Sequence, residues 1–160
     1  MNQLVPVDHS AMKTNQAVII LLLLAAFIAN LPWLVGIVCA VMLFGSLVLK
    51  KPGFGILYTR LLKPTGWVKP DVLNDNREPH IFAQAVGGVF LLVSSISLFF
   101  GAAVLGWILS WIVIALAALN LFAGFCVGCA MYYWLSQLKL PGFNRSAPSG
   151  SFPGMRPGRS

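Results

Sequence analysis

Two long stretches of this chain contain no charged side chain, and no other feature of the sequence restricts its fold as strongly. They cover residues 14–49 and 81–138. As straight helices, with a rise of about 1.5 Å per residue, they would be roughly 54 and 87 Å long. The apolar core of a bilayer is only about 30 Å thick. Each stretch is therefore predicted to cross a membrane more than once.

Each stretch has one natural break, which divides it into spans. Pro32 interrupts the first stretch, because proline lacks a backbone donor and disfavours helix at the residue before it. Gly101 interrupts the second, and its last apolar residues, 125–138, are too few for a fifth span. The prediction is an all-α, polytopic membrane protein in which four transmembrane helices form two hairpins. The spans are expected at about residues 17–29, 33–49, 81–100 and 103–122.

Composition supports a membrane location and argues against several other classes. Hydrophobic residues make up 58% of the chain and charged residues 9%, whereas a soluble domain is about a quarter charged. A soluble globular domain, a disordered chain and a disulfide-stapled secreted module are therefore disfavoured. The net charge of +7 is interpreted as a marker of the membrane edges rather than of nucleic-acid binding.

The few charged residues predict the topology. All of them lie in residues 8–13, 50–78 and 139–159, and the two breaks carry none. Four spans place these three segments on one side of the membrane, which the positive-inside rule identifies as the cytoplasm. Both termini are therefore expected to be cytoplasmic. Residues 1–140 are assigned to a single membrane domain, and residues 141–160, rich in Pro, Gly, Ser and Arg, to a disordered tail.

A pair of cysteines supplies the main functional signal. Cys126 and Cys129 stand at positions i and i+3 of a Gly-Phe-Cys-Val-Gly-Cys motif, so a helix places both sulfurs on one face. Such a C-x-x-C pair suits thiol–disulfide exchange, in which one thiolate attacks and the second thiol resolves the mixed disulfide. If Gly124 opens a new helical turn, the helix N-terminus lowers the pKa of the Cys126 thiol. The pair follows the fourth span and is expected at the cytoplasmic, reducing face of the membrane.

Two other interpretations of the cysteines stay open. His9 and His80 are expected on the same side of the membrane, and two Cys with two His would satisfy a tetrahedral zinc or copper site. Alternatively, Gly124 and Gly128 form a small-x-x-x-small pattern, in which the sulfurs only pack between helices. Cys39, in the middle of the second span, is interpreted as a packing residue.

Polar residues at one end of the spans extend this candidate site. Polar groups inside a membrane usually face the interior of the helix bundle, since lipid leaves them unpaired. All of these residues are expected toward the cytoplasmic end, where the cysteine pair is predicted. The supporting polar cluster consists of His9, Asn15, Gln16, Asp75, Glu78, His80, Gln84 and Asn120.

Three motifs carry a resemblance to a known family. They are Asp8-His9-Ser10, Glu78-Pro79-His80-Ile81-Phe82-Ala83-Gln84 and the Phe-Cys-x-Gly-Cys element at residues 125–129. Together they resemble a bacterial membrane family known only as domain-of-unknown-function family 4395, over residues 5–143. The family name supplies no activity. The resemblance implies a bacterial cytoplasmic (inner) membrane protein that occurs alongside thioredoxin-like and rhodanese-like sulfur proteins.

The sequence thus predicts a membrane thiol–disulfide or sulfur-relay protein, a candidate thiol–disulfide oxidoreductase, with Cys126 as the attacking thiolate and Cys129 as the resolving thiol. The expected partners are the lipid bilayer and a thioredoxin-like or rhodanese-like protein, with no nucleic acid and no cofactor. One alternative is a metal-binding or transport module, with zinc or copper held by both cysteines and both histidines. The other is a structural subunit of a larger membrane complex, and a homo-oligomer also stays open.

Overall fold

The described part of the chain is mostly helical, with two short strands. The computed structural model describes residues 5–55, 58–64, 70–139, 142–143, 145–147 and 152–156. The strands are β1 (Val5–Asp8) and β2 (Val72–Asp75). The helices are α1 (His9–Ile28), α2 (Pro32–Phe44), α3 (Arg77–Phe99), α4 (Ala103–Ala118) and α5 (Val127–Gln137). Short π-helical segments continue α2 (Gly45–Leu49) and α4 (Leu119–Ala123), and a separate one covers Tyr58–Leu62.

Four helices in the described residues are long and apolar enough to cross a membrane, which confirms the predicted number of spans. They are His9–Ile28, Pro32–Leu49, Arg77–Phe99 and Ala103–Ala123. The first begins at His9 rather than near residue 17, because Asp8 caps it. The Asp8 carboxylate accepts a hydrogen bond from the backbone N–H of Ser10 at 3.0 Å. The chain is therefore a multi-pass membrane protein with longer helices than the apolar stretches alone indicate.

The apolar side chains divide between a narrow core and outward faces. Ile19, Leu23 and Leu91 are fully buried between the helices. Cys39 lies in the same core, with its Sγ 3.3 Å from the backbone oxygen of Gly88, as a packing residue would. Lipid tails cover apolar surface that water would leave unfavourably exposed, so the outward faces are lipid-facing. Large exposed side chains on these faces include Leu21, Ile37, Phe44, Val93, Phe99, Leu105 and Trp111.

The starts of α1 and α3 and the end of the fourth span lie together at one end of the bundle. The rings of His9 and His80 are 5.8 Å apart, and Asn120 lines the same cavity as both. Short connections at residues 29–31 and 100–102 join consecutive helices. The charged segments before α1 and α3 are therefore close together, as the predicted topology requires. Which side of the membrane this end faces stays a prediction.

A small antiparallel sheet, which the sequence did not predict, joins β1 to β2. Its register begins with Val5 opposite Asp75. Next to the sheet, the Asp8 carboxylate accepts a hydrogen bond from the backbone N–H of Asp71 at 3.2 Å. The backbone N–H of His9 donates to the Asp71 carbonyl at 2.9 Å. These contacts hold the start of α1 against the segment that leads into α3. Asp75, in that segment, is buried.

The tail that was predicted to be disordered is in part held against the bundle. Residues 152–156, here called the C-terminal strap, run along the segment between α4 and α5. The backbone N–H of Cys126 donates to the Gly154 carbonyl at 2.8 Å, and that of Arg156 donates to the Gly124 carbonyl at 3.1 Å. Backbone groups between two helices need partners, and the strap supplies them. Composition, on which the prediction of disorder rested, carries no information about such pairing.

Side chains also attach the tail region to the rest of the molecule. Arg156 forms an ion pair with Asp71, and Arg145 forms one with Glu78 at 2.7 Å. These contacts involve only some residues of the tail, and its disorder as a whole stays a prediction. The other parts of the predicted tail, at 141, 144, 148–151 and 157–160, lie outside the described residues.

Candidate thiol site

The cysteine pair lies where the chain passes from α4 into α5. Gly124 has a φ of 65°, a left-handed conformation that favours glycine and ends the preceding helix. Cys126 is the N-cap residue of α5, and its Sγ accepts a hydrogen bond from the backbone N–H of Cys129 at 3.3 Å. The free N–H groups and the dipole at a helix N-terminus stabilise a thiolate there. The structure thus has the new helix that Gly124 was conditionally expected to open.

The two thiols have unequal affinities for a proton. Cys126 and Cys129 are 7% and 2% exposed, and their sulfurs and a ring nitrogen of His80 lie within 4.8 Å of one another. Hydrogen bonding to Cys129 and then to His80 lowers the pKa of Cys126 to about 5, against the opposing effect of burial. Burial and the neighbouring Cys126 raise the pKa of Cys129 well above its usual range. At neutral pH the pair therefore consists of a thiolate at Cys126 and a thiol at Cys129.

A buried relay of a carboxylate and an imidazole ends at this pair. His80 Nδ1 is 3.3 Å from Cys129 Sγ, and His80 Nε2 is 2.9 Å from Oδ2 of Asp75. His9 Nε2 lies 3.3 Å from the same carboxylate oxygen. Burial alone would raise the pKa of Asp75, but its contacts with His80 and then with His9 hold it well below its usual range. The carboxylate thus orients His80 so that its other nitrogen can exchange a proton with Cys129.

Two further residues of the site were not predicted from the sequence. Asn76 donates from Nδ2 to the Tyr133 hydroxyl at 3.4 Å and to the backbone oxygen of Ser146 at 2.8 Å. Burial raises the pKa of Tyr133 to about 12, so its phenol stays neutral beside the cysteines. Tyr133 follows Cys129 by one helical turn, and this spacing is the signal that could have identified it. Asn76 carried no comparable signal.

The predicted polar cluster is divided by the structure into two groups. The larger group lines one cavity together with both cysteines, and the smaller group has structural partners instead. The larger group comprises His9, Gln16, Asp75, His80 and Asn120. In the smaller group, Asn15 Oδ1 accepts from the Phe54 N–H at 2.9 Å, Gln84 Nε2 donates to the Met42 carbonyl at 3.0 Å, and Glu78 pairs with Arg145.

The same side chains offer a metal-ligand arrangement. The donor atoms of His80, Cys126 and Cys129 lie within 4.8 Å of one another, a spacing that suits zinc with three protein ligands. Asp75 on the far nitrogen of His80 corresponds to the carboxylate that commonly orients a metal-bound histidine. His9, the fourth ligand expected from the sequence, faces Asp75 rather than the sulfurs. A metal here would therefore have three protein ligands and an open fourth position.

The C-terminal strap covers the cysteine pair. The cavity beside the two thiols has a volume of about 40 Å³, and Gly154, Met155 and Arg156 form one of its walls. Gly154 has a φ of 88°, and a Cβ atom there would lie 2.8 Å from the Ala130 Cβ and 2.8 Å from the Cys126 carbonyl oxygen. Glycine alone fits this close contact. A partner sulfur that approaches from this side must therefore displace the strap to reach Cys126.

We expect the alkylation rate of Cys126 to be independent of pH near neutrality and to fall as the pH drops through about 5, where the thiolate takes up its proton. In a His80→Gln variant the midpoint should move upward, because the imidazole no longer stabilises the thiolate. Mass spectrometry of the iodoacetamide-labelled Cys126 peptide measures both profiles, and a Cys39→Ser variant serves as the control. If Cys126 in the unchanged chain has an alkylation midpoint close to that of a free cysteine, the assignment of Cys126 as a thiolate is contradicted.

Comparison with known proteins gives one match. The model of a family described as "Domain of unknown function (DUF4395)" matches residues 7–137. No curated protein and no solved structure matches the chain. The matched residues include the cysteine pair, His80 and Asp75, and they end before the C-terminal strap.

Proposed function

The chain belongs to the DUF4395 family, whose description assigns no activity, and we propose that it is a membrane protein of thiol–disulfide exchange. In this proposal Cys126 is the attacking thiolate and Cys129 the resolving thiol. One observation carries it: the Cys126 sulfur caps the N-terminus of α5 while the Asp75–His80 relay reaches Cys129. A thiolate and a thiol with its own proton acceptor are the two parts that exchange requires.

The proposal includes a placement in the bacterial cytoplasmic membrane, with the spans as two hairpins and the thiol site at the cytoplasmic face. The three charged segments support this orientation, because they are rich in Lys and Arg and belong to the end of the bundle that holds the site. A reducing cytoplasm keeps such a pair available as thiols.

The exchange requires a partner disulfide and is reversible. The Cys126 thiolate attacks one sulfur of that disulfide, whose S–S bond breaks as the Cys126–S bond forms, and the leaving thiolate takes up the proton that the His80 imidazolium holds. Cys129 gives its proton to Nδ1 of His80, and its thiolate attacks the Cys126 sulfur. The Cys126–Cys129 disulfide forms, and the partner's second thiolate leaves and takes the proton from His80. Two electrons have then passed to the partner, and the reverse sequence oxidises a dithiol partner.

The partner class we propose is a thioredoxin-like or a rhodanese-like protein, which the family resemblance suggests. A thioredoxin-like partner would exchange a disulfide with Cys126 by the steps above. A rhodanese-like partner would instead present a persulfide, whose outer sulfur the Cys126 thiolate accepts while the partner keeps a thiolate. Either partner, approaching from the side of the C-terminal strap, must displace it first.

A Cys129→Ser variant is expected to accumulate a mixed disulfide with its partner, because the resolving thiol is gone. Non-reducing electrophoresis of native membranes should show an adduct that disappears when dithiothreitol reduces its disulfide. The matched Cys126→Ser variant should show none, since Cys129, the remaining thiol of the pair, is 2% exposed and holds its proton, and Cys39 is buried in the core. Equal adducts in the two variants would contradict the assigned roles. Adducts in neither would overturn the proposal and leave a structural subunit as the explanation.

Metal binding is a second candidate function, favoured by the convergence of three donor atoms from His80, Cys126 and Cys129. Elemental analysis of the purified chain tests it, with zinc and copper as the metals measured. On this hypothesis a His80→Ala variant loses the metal, whereas His9→Ala retains it, because His9 contacts Asp75 and not the sulfurs. Metal-free protein that still forms the mixed disulfide would remove this candidate.

A further inference from the structure

A second, larger cavity extends from the cysteine pair into the membrane-spanning part of the bundle. Its volume is about 890 Å³, within the range of small-molecule and cofactor sites. Cys126 and His80 line one part of it, and Ile19, Phe90 and Val113 line another. These three apolar residues belong to α1, α3 and α4, inside the spans. A ligand that fits is therefore apolar along much of its length and lies beside Cys126 at one end.

Two side-chain amides stand where this cavity meets the thiol site. Gln16 and Asn120 line both the large cavity and the small one. Within the part of the chain that the structure describes, neither amide has a hydrogen-bond partner, whereas the nearby amides of Asn15 and Gln84 each have one. Both side chains are half-buried, so a ligand in the cavity can reach their amides. The two amides thus offer neutral N–H donors to the head of a ligand, which favours carbonyl oxygens.

We propose that the large cavity binds a lipophilic quinone, with its ring beside Cys126 and its tail between α1, α3 and α4. This inference rests on the proposed thiol function and extends it by naming the electron acceptor. A quinone combines the three features that the cavity demands: carbonyl oxygens for the two amides, a redox-active ring for the thiolate, and a lipid-soluble tail. Lys50 and Lys51 also line the cavity, so an anionic phospholipid is the competing occupant that the experiment must exclude.

A quinone can oxidise the thiol pair in two steps. The Cys126 thiolate adds to a ring carbon, a C–S bond forms, and one carbonyl oxygen takes up the proton that the His80 imidazolium holds. Cys129 gives its proton to His80, and its thiolate attacks the Cys126 sulfur. The S–S bond forms, the C–S bond breaks, and the electron pair returns to the ring, whose second oxygen takes the proton from His80. The dithiol is oxidised to a disulfide and the quinone is reduced to a quinol, so electrons pass from a partner dithiol to the membrane.

Binding is tested first in a chain that cannot react. The full chain with Cys126→Ser and Cys129→Ser is placed in phosphatidylcholine nanodiscs and titrated with ubiquinone-1 in equilibrium dialysis, where saturable binding is expected. Ala117→Phe fills the cavity from a buried position and should weaken the affinity about tenfold or more. Ala115→Phe makes the same change at an exposed position of the same helix and should leave the affinity unchanged. Asn120→Ala, which adds no bulk, should weaken it about fivefold.

Electron transfer is the second readout, in the chain that retains both cysteines. Ubiquinone-1 should oxidise the pair to a disulfide, and Ala117→Phe should slow this while the Cys129→Ser adduct still forms. Absence of binding together with intact adduct formation would overturn the quinone site and leave thiol exchange standing. Affinity unaffected by Ala117→Phe and Asn120→Ala, or a retained phospholipid that ubiquinone-1 cannot displace, would also overturn it. If the Ala117→Phe variant does not fold, the affinity of the Asn120→Ala variant for ubiquinone-1 tests the proposal instead. Quinone binding without any adduct would overturn the thiol function instead.

Discussion

An Asp75→Asn variant is expected to form the mixed disulfide with a partner but to resolve it about 10²- to 10⁴-fold more slowly than the unchanged chain, the range of general acid–base catalysis. Asp75 is 3% exposed, and its carboxylate lies 2.9 Å from Nε2 of His80. Asparagine has nearly the same shape but no charge, so the imidazole loses the anion that stabilises its protonated form. Cys129, 3.3 Å from the other ring nitrogen, then has no effective proton acceptor.

Single-turnover kinetics separate formation of the adduct from its resolution. In Asp75→Asn the adduct on Cys126 should accumulate, and its decay should become faster as the pH rises, because hydroxide then removes the Cys129 proton. His9→Gln changes a residue that contacts the same carboxylate but neither thiol, and it should slow resolution less than about tenfold. Glu78→Gln removes a negative charge that pairs with Arg145 and serves as the control. Equal slowing in all three variants would contradict a relay through Asp75.

Removal of the C-terminal strap is expected to raise the rate at which a maleimide too bulky for the large cavity labels Cys126 by about 30- to 150-fold, as follows from an opening free energy of about 2–3 kcal/mol. Two backbone hydrogen bonds hold the strap to Gly124 and Cys126, at about 1 kcal/mol each. The ion pair of Arg156 with Asp71 is partly exposed and adds up to about 1 kcal/mol. A chain that ends at residue 151 lacks all three contacts, so its thiolate needs no opening step before it reacts.

Two glycine substitutions distinguish displacement of the strap from a general effect of truncation. Gly154→Ala should reproduce the faster labelling, because its Cβ would lie 2.8 Å from the Cys126 carbonyl oxygen. Gly142→Ala is the matched control, since Gly142 also has a positive φ, of 95°, but nothing lies within 4 Å of its Cβ position. Mass spectrometry of the labelled Cys126 peptide follows both. Unchanged labelling in the truncated chain would show that the strap does not limit access.

The spans could be predicted from local sequence, because the bilayer sets the length of each span and excludes charged residues from it. The charge-free stretches, broken at Pro32 and Gly101, located four helices that the structure contains. The starts of these helices were predicted less well. α3 begins at Arg77, and α1 begins at His9 because Asp8 supplies a partner for one of its first N–H groups. No local apolar pattern records such a partner.

The residue types of the site could be predicted, but their partners could not. The cysteine pair, His80 and Asp75 carry chemistry that is visible in the sequence. That Asp75 lies between two histidines depends on the register of β1 and β2, two strands of four residues that are distant in sequence. The strap was missed for a related reason. Its main contacts are backbone hydrogen bonds, and a composition rich in Gly, Pro and Arg does not encode them.

The pairing of β1 with β2 also sets an order for biosynthesis. A ribosome delivers β1 first, yet the start of α1 reaches its final position only after residues 72–75 have been made. The strap comes later still, 27 residues after Cys129 if counted to Arg156 (156 − 129 = 27). At about 5–20 residues per second, the nascent thiols stay uncovered for about one to five seconds. During that interval a partner can reach the cysteine pair from the side of the strap without displacing it.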